Sequence, residues 1–173
     1  ELARAQQAHA LTLLVGAPVA LTSSPTRLAA LQMAPLPAGL PVVLDTNVVS
    51  ELRLSRSRRS PAVHAWAQVQ TDNQLFLSVV TKFELEMGEL RIARRDAVQA
   101  ARLQDWRLQL LAQFAGRILP FTELTTPFCA ALHVPDPRSF RDAMIAATAL
   151  EHGFTVVTRN AADFAIYSAE GAT

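Results

Sequence analysis

The sequence is short of residues on which several common activities depend. Its single cysteine, Cys129, cannot form a disulfide within these 173 residues, and a hydrophobic fraction of 50% supports a core without one. Lysine occurs once, at Lys82, and the rest of the 16 lysine and arginine residues are arginines. A net charge of +1 argues against a general polyanion-coating protein, but it allows a local basic patch.

Several motifs of well-known enzymes are also missing. The sequence has no G-x-S-x-G, no C-x-x-C and no Walker loop, so a serine- or cysteine-nucleophile enzyme is not supported. The four histidines show no spacing typical of metal ligands: His9, His64, His133 and His152.

Residues 1–40 differ in composition from the rest of the chain. They are rich in Ala, Leu and Pro and carry few charges. Their apolar stretch resembles a short signal-peptide core, but Gly16 and Pro18 interrupt it and it is too short to span a membrane. We expect a poorly ordered or non-essential extension followed by one domain in residues 41–173; a secretory signal is the alternative.

From Pro41 onward, apolar strand patterns alternate with helical patterns. The strands are expected at 42–45, 74–80, 117–121 and 154–158, and the helices at 60–70, 81–95, 96–116, 126–134 and 140–153. Strands that are apolar on both faces and alternate with helices are typical of a parallel sheet covered on both sides. The pattern predicts an α/β fold.

Four acidic residues fall where the strands end and the helices begin. Asp45 ends the first strand, and Glu84 is expected in the first turn of the helix after the second strand. Asp142 opens the helix before the last strand, and Asp163 lies just beyond that strand. Ligands of open parallel sheets bind outside the carboxyl ends of the strands. The four acids are therefore expected to meet there.

Each acid also has a simpler explanation as part of a helix cap. An acid in the first turn is favoured by the helix dipole, and for any single acid this interpretation is the stronger one. Three of the acids fit the capping-box spacing: Glu84 after Thr81, Asp142 after Ser139, and Asp163 after Asn160.

Taken together, the four acids indicate a metal site. Gathered carboxylates repel one another unless a cation joins them, and oxygen-only ligands suit Mg²⁺ or Mn²⁺. Mg²⁺ is typically shared between a few carboxylates and a substrate phosphate, where it polarises a phosphoryl oxygen and activates water.

A second charged feature is "RLSRSRRS", residues 53–60. These arginines could contact an RNA backbone or an acidic partner. The alternative, which stays open, is a solvated loop. The arginines concerned are Arg53, Arg56, Arg58 and Arg59.

Three stretches, "VVLDTNVVSE", "SVVTKFELEMG" and "RDAMIAATALEHGFTVVTRNAADF", resemble the PIN-domain ribonucleases. The resemblance spans about residues 42–167 and is to VapC-type toxins of bacterial toxin–antitoxin pairs, in particular the FitB-like subgroup. It implies a PIN-like three-layer α/β/α fold with an acidic site at the carboxyl ends of the strands. The positions that match the family's site are Asp45, Glu84, Asp142 and Asp163, supported by Asn47, Thr158 and Asn160.

The resemblance also implies an activity and partners. It implies a cytoplasmic, Mg²⁺-dependent endoribonuclease that cleaves single-stranded or loop RNA, with Mn²⁺ possible as the metal. The implied partners are a cognate antitoxin and a second copy of the chain, with no membrane. Two alternatives remain: a catalytically weak protein of the same fold that binds RNA or a partner, and a phosphatase of another aspartate-using family. The phosphatase is disfavoured because Asn47 stands where such enzymes commonly have a second Asp.

Overall fold

The computed structural model describes residues 11–15, 17–21, 40–55, 57–135, 139–160 and 164, and for residues 11–21 it describes the backbone alone. In this part of the chain, one mixed sheet is formed by β1 Leu11–Val15, β2 Ala17–Leu21, β3 Val42–Leu44, β4 Leu75–Ser78, β5 Ile118–Leu119 and β6 Thr155–Thr158. The strand order is β2-β1-β6-β3-β4-β5. β2 runs antiparallel to β1, and the other neighbouring pairs are parallel.

The helices alternate with the strands and begin and end at recognisable caps. The Asp45 side chain caps α1, and the Ser78 side chain accepts a hydrogen bond from a backbone N–H in the first turn of α3. Gly153 ends α6 in the left-handed conformation at φ 67°, which a residue without Cβ adopts easily. The helices are α1 Thr46–Leu52, α2 Pro61–Gln68, α3 Val79–Ala93, α4 Ala97–Gln113, α5 Thr126–Ala131 and α6 Phe140–His152.

The core lies on both faces of the sheet, because successive strand residues point to opposite sides. Val43 and Val156 pack against α5 and α6 on one face. Leu44 and Val157 pack against α1, α2 and α4 on the other. The register pairs Leu44 with Val157 on one side and Leu77 on the other, so β3 lies in the middle of the parallel strands. The predicted three-layer arrangement and central parallel sheet are confirmed.

Three details differ from the sequence-based expectations. Helix α1 was not predicted, and α3 begins at Val79 rather than at Thr81. No strand was expected before Pro41, yet the backbone of β1 lies beside β6 and β2 closes that edge of the sheet. Whether the domain needs residues 1–40 stays a prediction. Of the helices in the described residues, none combines the length and apolar character that a membrane crossing requires.

Candidate active site

The carboxyl ends of β3, β4 and β6 lie along one edge of the sheet and bring polar side chains together. Asp45 directly follows β3, and its backbone N–H donates to the carbonyl of Val157 at 3.0 Å. Thr158 is the last residue of β6, next to it in the register. β4 leads straight into α3, which carries Glu84. The expected convergence of strand ends is therefore observed for these residues.

Asp45 is a buried carboxylate held by three hydrogen bonds. It is 5% exposed. Its Oδ1 accepts from the backbone N–H of Thr46 at 2.6 Å. Its Oδ2 accepts from the Asn47 amide at 2.5 Å and from the Thr158 hydroxyl at 2.6 Å. A carboxylate offers about four acceptor positions, so these contacts fix its orientation and leave room for one further donor or cation.

The groups around Asp45 form a hydrogen-bonded network. The Thr158 hydroxyl donates to Asp45 and accepts from the Asn47 amide and from the backbone N–H of Asn160, both at 3.0 Å. The Asn47 carbonyl oxygen accepts from the backbone N–H of Arg159 at 2.9 Å. The three predicted supporting residues therefore lie within one network, which joins the start of α1 to the end of β6.

Glu84 reaches the same region from α3. Its Oε2 accepts from the Thr46 hydroxyl at 2.5 Å, so Thr46 contacts both Asp45 and Glu84. Its Oε1 lies 3.3 Å from Nε of Arg141, the residue before Asp142. The Glu84 side chain is 17% exposed. A carboxylate of α3 and the first turn of α6 are thereby brought next to α1.

Electrostatics link three of the acids. Burial raises the pKa of Asp45 to about 6, although its bonds to Thr158 and Thr46 act in the opposite direction. The charges of Asp142 and Glu84 raise the pKa of Asp45 further. Because such charge effects weaken with distance, Asp142 and Glu84 lie near enough to Asp45 to act on its charge. Asp163 lies outside the described residues.

The capping interpretation fails for Glu84 and stays open for Asp142. Ser78 caps α3, which makes Glu84 the sixth residue of that helix, so its expected place in the first turn is wrong. Asp142 is in the first turn of α6, but the side chain of Ser139 makes no capping hydrogen bond there. Asp45 caps α1 and also feels the charges of Asp142 and Glu84, so for this residue capping does not exclude the metal-site interpretation.

The chemistry of the donor set fits a hard divalent cation. The side chains that meet here offer carboxylate, hydroxyl and amide oxygens, with no histidine or cysteine among those described above. Within the described residues, no three His, Cys, Asp or Glu side chains form a ready coordination sphere. Mutual repulsion of the carboxylates gives a physical reason why they stand apart in the absence of a cation.

The arginine-rich segment is only partly available for contacts with other molecules. The guanidinium of Arg53 lies 5.5 Å from the ring centre of Trp106. Arg59 donates to the backbone carbonyls of Leu52 and Leu54, so it supports the turn after α1. Arg58 is exposed and donates to a serine hydroxyl at 3.4 Å, whereas Arg56 lies outside the described residues. A role in binding RNA or a partner stays a prediction.

Sequence reasoning missed three side chains at or beside the site. Thr46 is part of the first motif but was given no role, and Arg141 was overlooked although a basic residue beside an acid is a visible signal. Glu51 is buried, and accepts from the backbone N–H of Ser60 at 2.5 Å and from Arg159 at 2.6 Å. It ties the end of α1 to the residue after β6.

Comparisons with known proteins agree with this geometry. A family model described as PIN domain matches residues 42–169. VapC ribonuclease Y4jK of Sinorhizobium fredii is 37% identical over 130 residues, which are 71% of this chain and 89% of that protein. The crystal structure of FitAcB from Neisseria gonorrhoeae matches with a TM-score of 0.61 at 33% identity, covering 73% of this chain and 92% of that one. A toxin–antitoxin complex from Klebsiella pneumoniae matches with a TM-score of 0.53 at 27% identity, covering 72% and 90%.

Proposed function

This chain belongs to the PIN-domain family, and on that premise we propose that it is a metal-dependent endoribonuclease, the toxin of a toxin–antitoxin pair. The observation that carries the proposal is the buried Asp45 carboxylate after β3, which Asn47 and Thr158 orient and which Thr46 links to Glu84. A carboxylate at the carboxyl end of a parallel strand, with further acids on neighbouring helices, suits a reaction at a phosphodiester. The ribonuclease named among the relatives supports RNA as the substrate.

PIN-domain ribonucleases generally depend on a divalent metal, and we assign that role here to Mg²⁺, with Mn²⁺ as a substitute. The residues that would hold it are Asp45, Glu84, Asp142 and Asp163. Bound there, the cation would polarise a phosphoryl oxygen and make water a better nucleophile. The oxygen-only donor set of the site is what such a cation prefers.

The protein's own side chains orient the site. Thr158 and Asn47 bond to Oδ2 of Asp45 and hold the carboxylate in one rotamer. Thr46 donates its hydroxyl hydrogen to Glu84 and its backbone N–H to Asp45, so one residue links the two carboxylates. Such preorganisation removes the cost of arranging charged groups when the phosphate arrives. Asn160 supports Thr158 through its backbone N–H.

The partners follow from the same family relationship. A cognate antitoxin is its protein partner, as in the toxin–antitoxin complex that shares the fold. We further propose a homodimer, a cytoplasmic site of action where RNA substrates are present, and a nuclease domain in residues 41–173 that does not require residues 1–40. The family match, which begins at residue 42, supports that boundary.

A substrate and metal test examines the proposal. The purified chain is given single-stranded RNA, single-stranded DNA and a phosphomonoester, each with Mg²⁺, Mn²⁺ or EDTA. We expect cleavage of RNA with either metal and none in EDTA, and a loss of at least about a hundredfold in Asp45→Asn, since even outer-sphere partners of a metal cost 10- to 100-fold.

Other outcomes would point elsewhere. Undiminished RNA cleavage in EDTA would contradict the metal mechanism. Tight RNA binding without cleavage under any metal would favour the catalytically weak binding protein, and turnover of the phosphomonoester alone would favour a phosphatase. Circular dichroism of Asp45→Asn checks that lost activity is not lost folding.

A further inference from the structure

Arg141 lies inside the candidate site but takes no part in the chemistry proposed for the acids. It is the second residue of α6, and its Nε is 3.3 Å from Oε1 of Glu84. The arginine side chain is 48% exposed, whereas that of Glu84 is 17% exposed. The guanidinium therefore joins α6 to α3 at the solvent side of the acidic group.

The Arg141–Glu84 ion pair is better suited to a change of partner than to stabilising the fold. An ion pair with a half-exposed arginine in water contributes little to stability. Arg107, by contrast, is 12% exposed and bonds Glu89 at 2.8 Å and Glu86 at 3.2 Å, as expected of a structural arginine. Arg141 can leave Glu84 at small cost when a better partner arrives.

The position also suits a phosphate. An RNA strand that reaches the acids brings negative charge next to three carboxylates, and a nearby cation offsets that repulsion. A guanidinium matches a phosphate in shape because its planar fork can donate two parallel hydrogen bonds. Arg141 contacts Glu84, so the arginine and this acid would meet the same phosphodiester.

We propose that Arg141 is a substrate-binding residue that rests on Glu84 in the free protein and contacts an RNA phosphate once a divalent cation replaces it there. This inference rests on the proposed nuclease function. In this proposal Glu84 pairs with Arg141 in the free protein and binds the metal ion once the ion is present.

The proposal predicts two effects of opposite sign in Arg141→Gln. Mg²⁺ should bind more tightly, roughly two- to fivefold, because a competing cation worth no more than an exposed ion pair has been removed. RNA should bind more weakly, on the order of tenfold, because a charge-assisted contact is lost. The slope of log affinity against log salt should also fall by about one. A residue that only maintained the fold would weaken both ligands.

The metal arm is a calorimetric titration of the full chain with Mg²⁺ alone, comparing wild type with Arg141→Gln. The RNA arm measures fluorescence anisotropy of a labelled single-stranded RNA of mixed sequence at several salt concentrations. It uses Glu84→Gln as the background, because this change frees Arg141 and is expected to prevent cleavage. The comparison is then Glu84→Gln against Glu84→Gln with Arg141→Gln.

Arg94→Gln is the matched control. Arg94 is exposed at the far end of α3, ten residues after Glu84 and so about 15 Å along the helix axis. It should leave Mg²⁺ affinity and the RNA salt slope close to their starting values. Arg141→Lys keeps the charge but lacks the fork, so it should retain the salt slope with part of the affinity lost; it also decides the matter if Arg141→Gln does not fold.

Two results would overturn the inference. One is a Mg²⁺ affinity that is unchanged or weaker in Arg141→Gln; the other is an RNA affinity and salt slope that match those of the Arg94→Gln control. If wild type binds Mg²⁺ and RNA while these results are found, the inference fails alone. A wild type that binds neither ligand would overturn the proposed function as well.

Discussion

Helix α3 carries acids on two faces, and the two faces have different surroundings. Glu86 and Glu89 share one face with Lys82, because spacings of three and four residues align along a helix. Glu86 pairs with Lys82 at 2.6 Å and with Arg107 at 3.2 Å, and Glu89 pairs with Arg107 at 2.8 Å. Glu84 points the other way, where it accepts from the Thr46 hydroxyl, lies 3.3 Å from Arg141 and raises the pKa of Asp45 by its charge.

The difference lies in the arginine partners, since Arg107 is 12% exposed and Arg141 is 48% exposed. Where each carboxylate has a cation of its own, the charges cancel within the protein and α3 is held to α4. On the other face Glu84 pairs with the half-exposed Arg141, a contact that suits exchange for an external cation. Lys82 and Glu86, which flank Glu84 on the same helix, neutralise each other through their ion pair.

The largest expected effect comes from making the same substitution on the two faces. Glu84→Gln should reduce RNA cleavage with Mg²⁺ by at least about a hundredfold, because it removes a charge that the cation needs. Glu89→Gln should leave cleavage within a few-fold of wild type but lower the melting temperature, because the mostly buried Arg107 loses a partner. Initial cleavage rates and thermal melts of both variants provide the measurement. An equal loss of cleavage activity in Glu84→Gln and Glu89→Gln would contradict a functional difference between the two faces of α3.

Much of this arrangement could be predicted from the sequence, for identifiable reasons. Buried parallel strands are continuous apolar runs, so β3, β4 and β6 were recognisable, and so was the polar residue that ends β3. Helix α1 was missed because its Thr-Asn-Val-Val start is poor in helix formers and its cap, Asp45, also ends a strand. Pro18 made β2 hard to recognise, although an edge strand tolerates proline.

The contacts between elements could not be predicted. The Thr46–Glu84 hydrogen bond joins residues 38 positions apart, and the Arg141–Glu84 contact depends on how α6 lies against α3. Neither leaves a periodic signal in the sequence. The same holds for Glu51, whose burial depends on the turn after α1 and on Arg159.

The second prediction concerns how the stability contributed by Asp45 changes with pH. The pKa of Asp45 is raised to about 6 from 3.8 in the folded protein, so between these values the folded state holds a proton that the unfolded state has released. The contribution of Asp45 to the free energy of unfolding is therefore full below about pH 4. It is lost as the pH rises through 6, a decrease on the order of 2–3 kcal/mol. Urea unfolding in EDTA from pH 4 to 8 should show this fall in wild type and not in Asp45→Asn. Parallel curves for the two proteins would mean that folding does not raise the pKa of Asp45.

The last prediction concerns Asp142, for which the capping and the metal-site interpretations both remain open. As a first-turn acid it gains about 0.3–1 kcal/mol from the helix dipole, and Asp142→Asn would lose this gain with or without metal. As a neighbour of Asp45 and Glu84 it suffers like-charge repulsion, on the order of 2 kcal/mol at an effective dielectric near 20. Asparagine removes the charge at nearly the same volume.

The repulsion should outweigh the dipole when Asp45 is ionised, which requires a pH of about 8, above its raised pKa. We therefore expect Asp142→Asn to raise the melting temperature in EDTA by roughly 2–4 °C. The same change should shrink the stabilisation by excess Mg²⁺, because binding to the native state supplies it. The test consists of four thermal melts, in which wild type and Asp142→Asn are each measured in EDTA and in excess Mg²⁺. A variant that melts lower in EDTA and responds to Mg²⁺ as wild type does would make Asp142 a capping residue and remove it from the site.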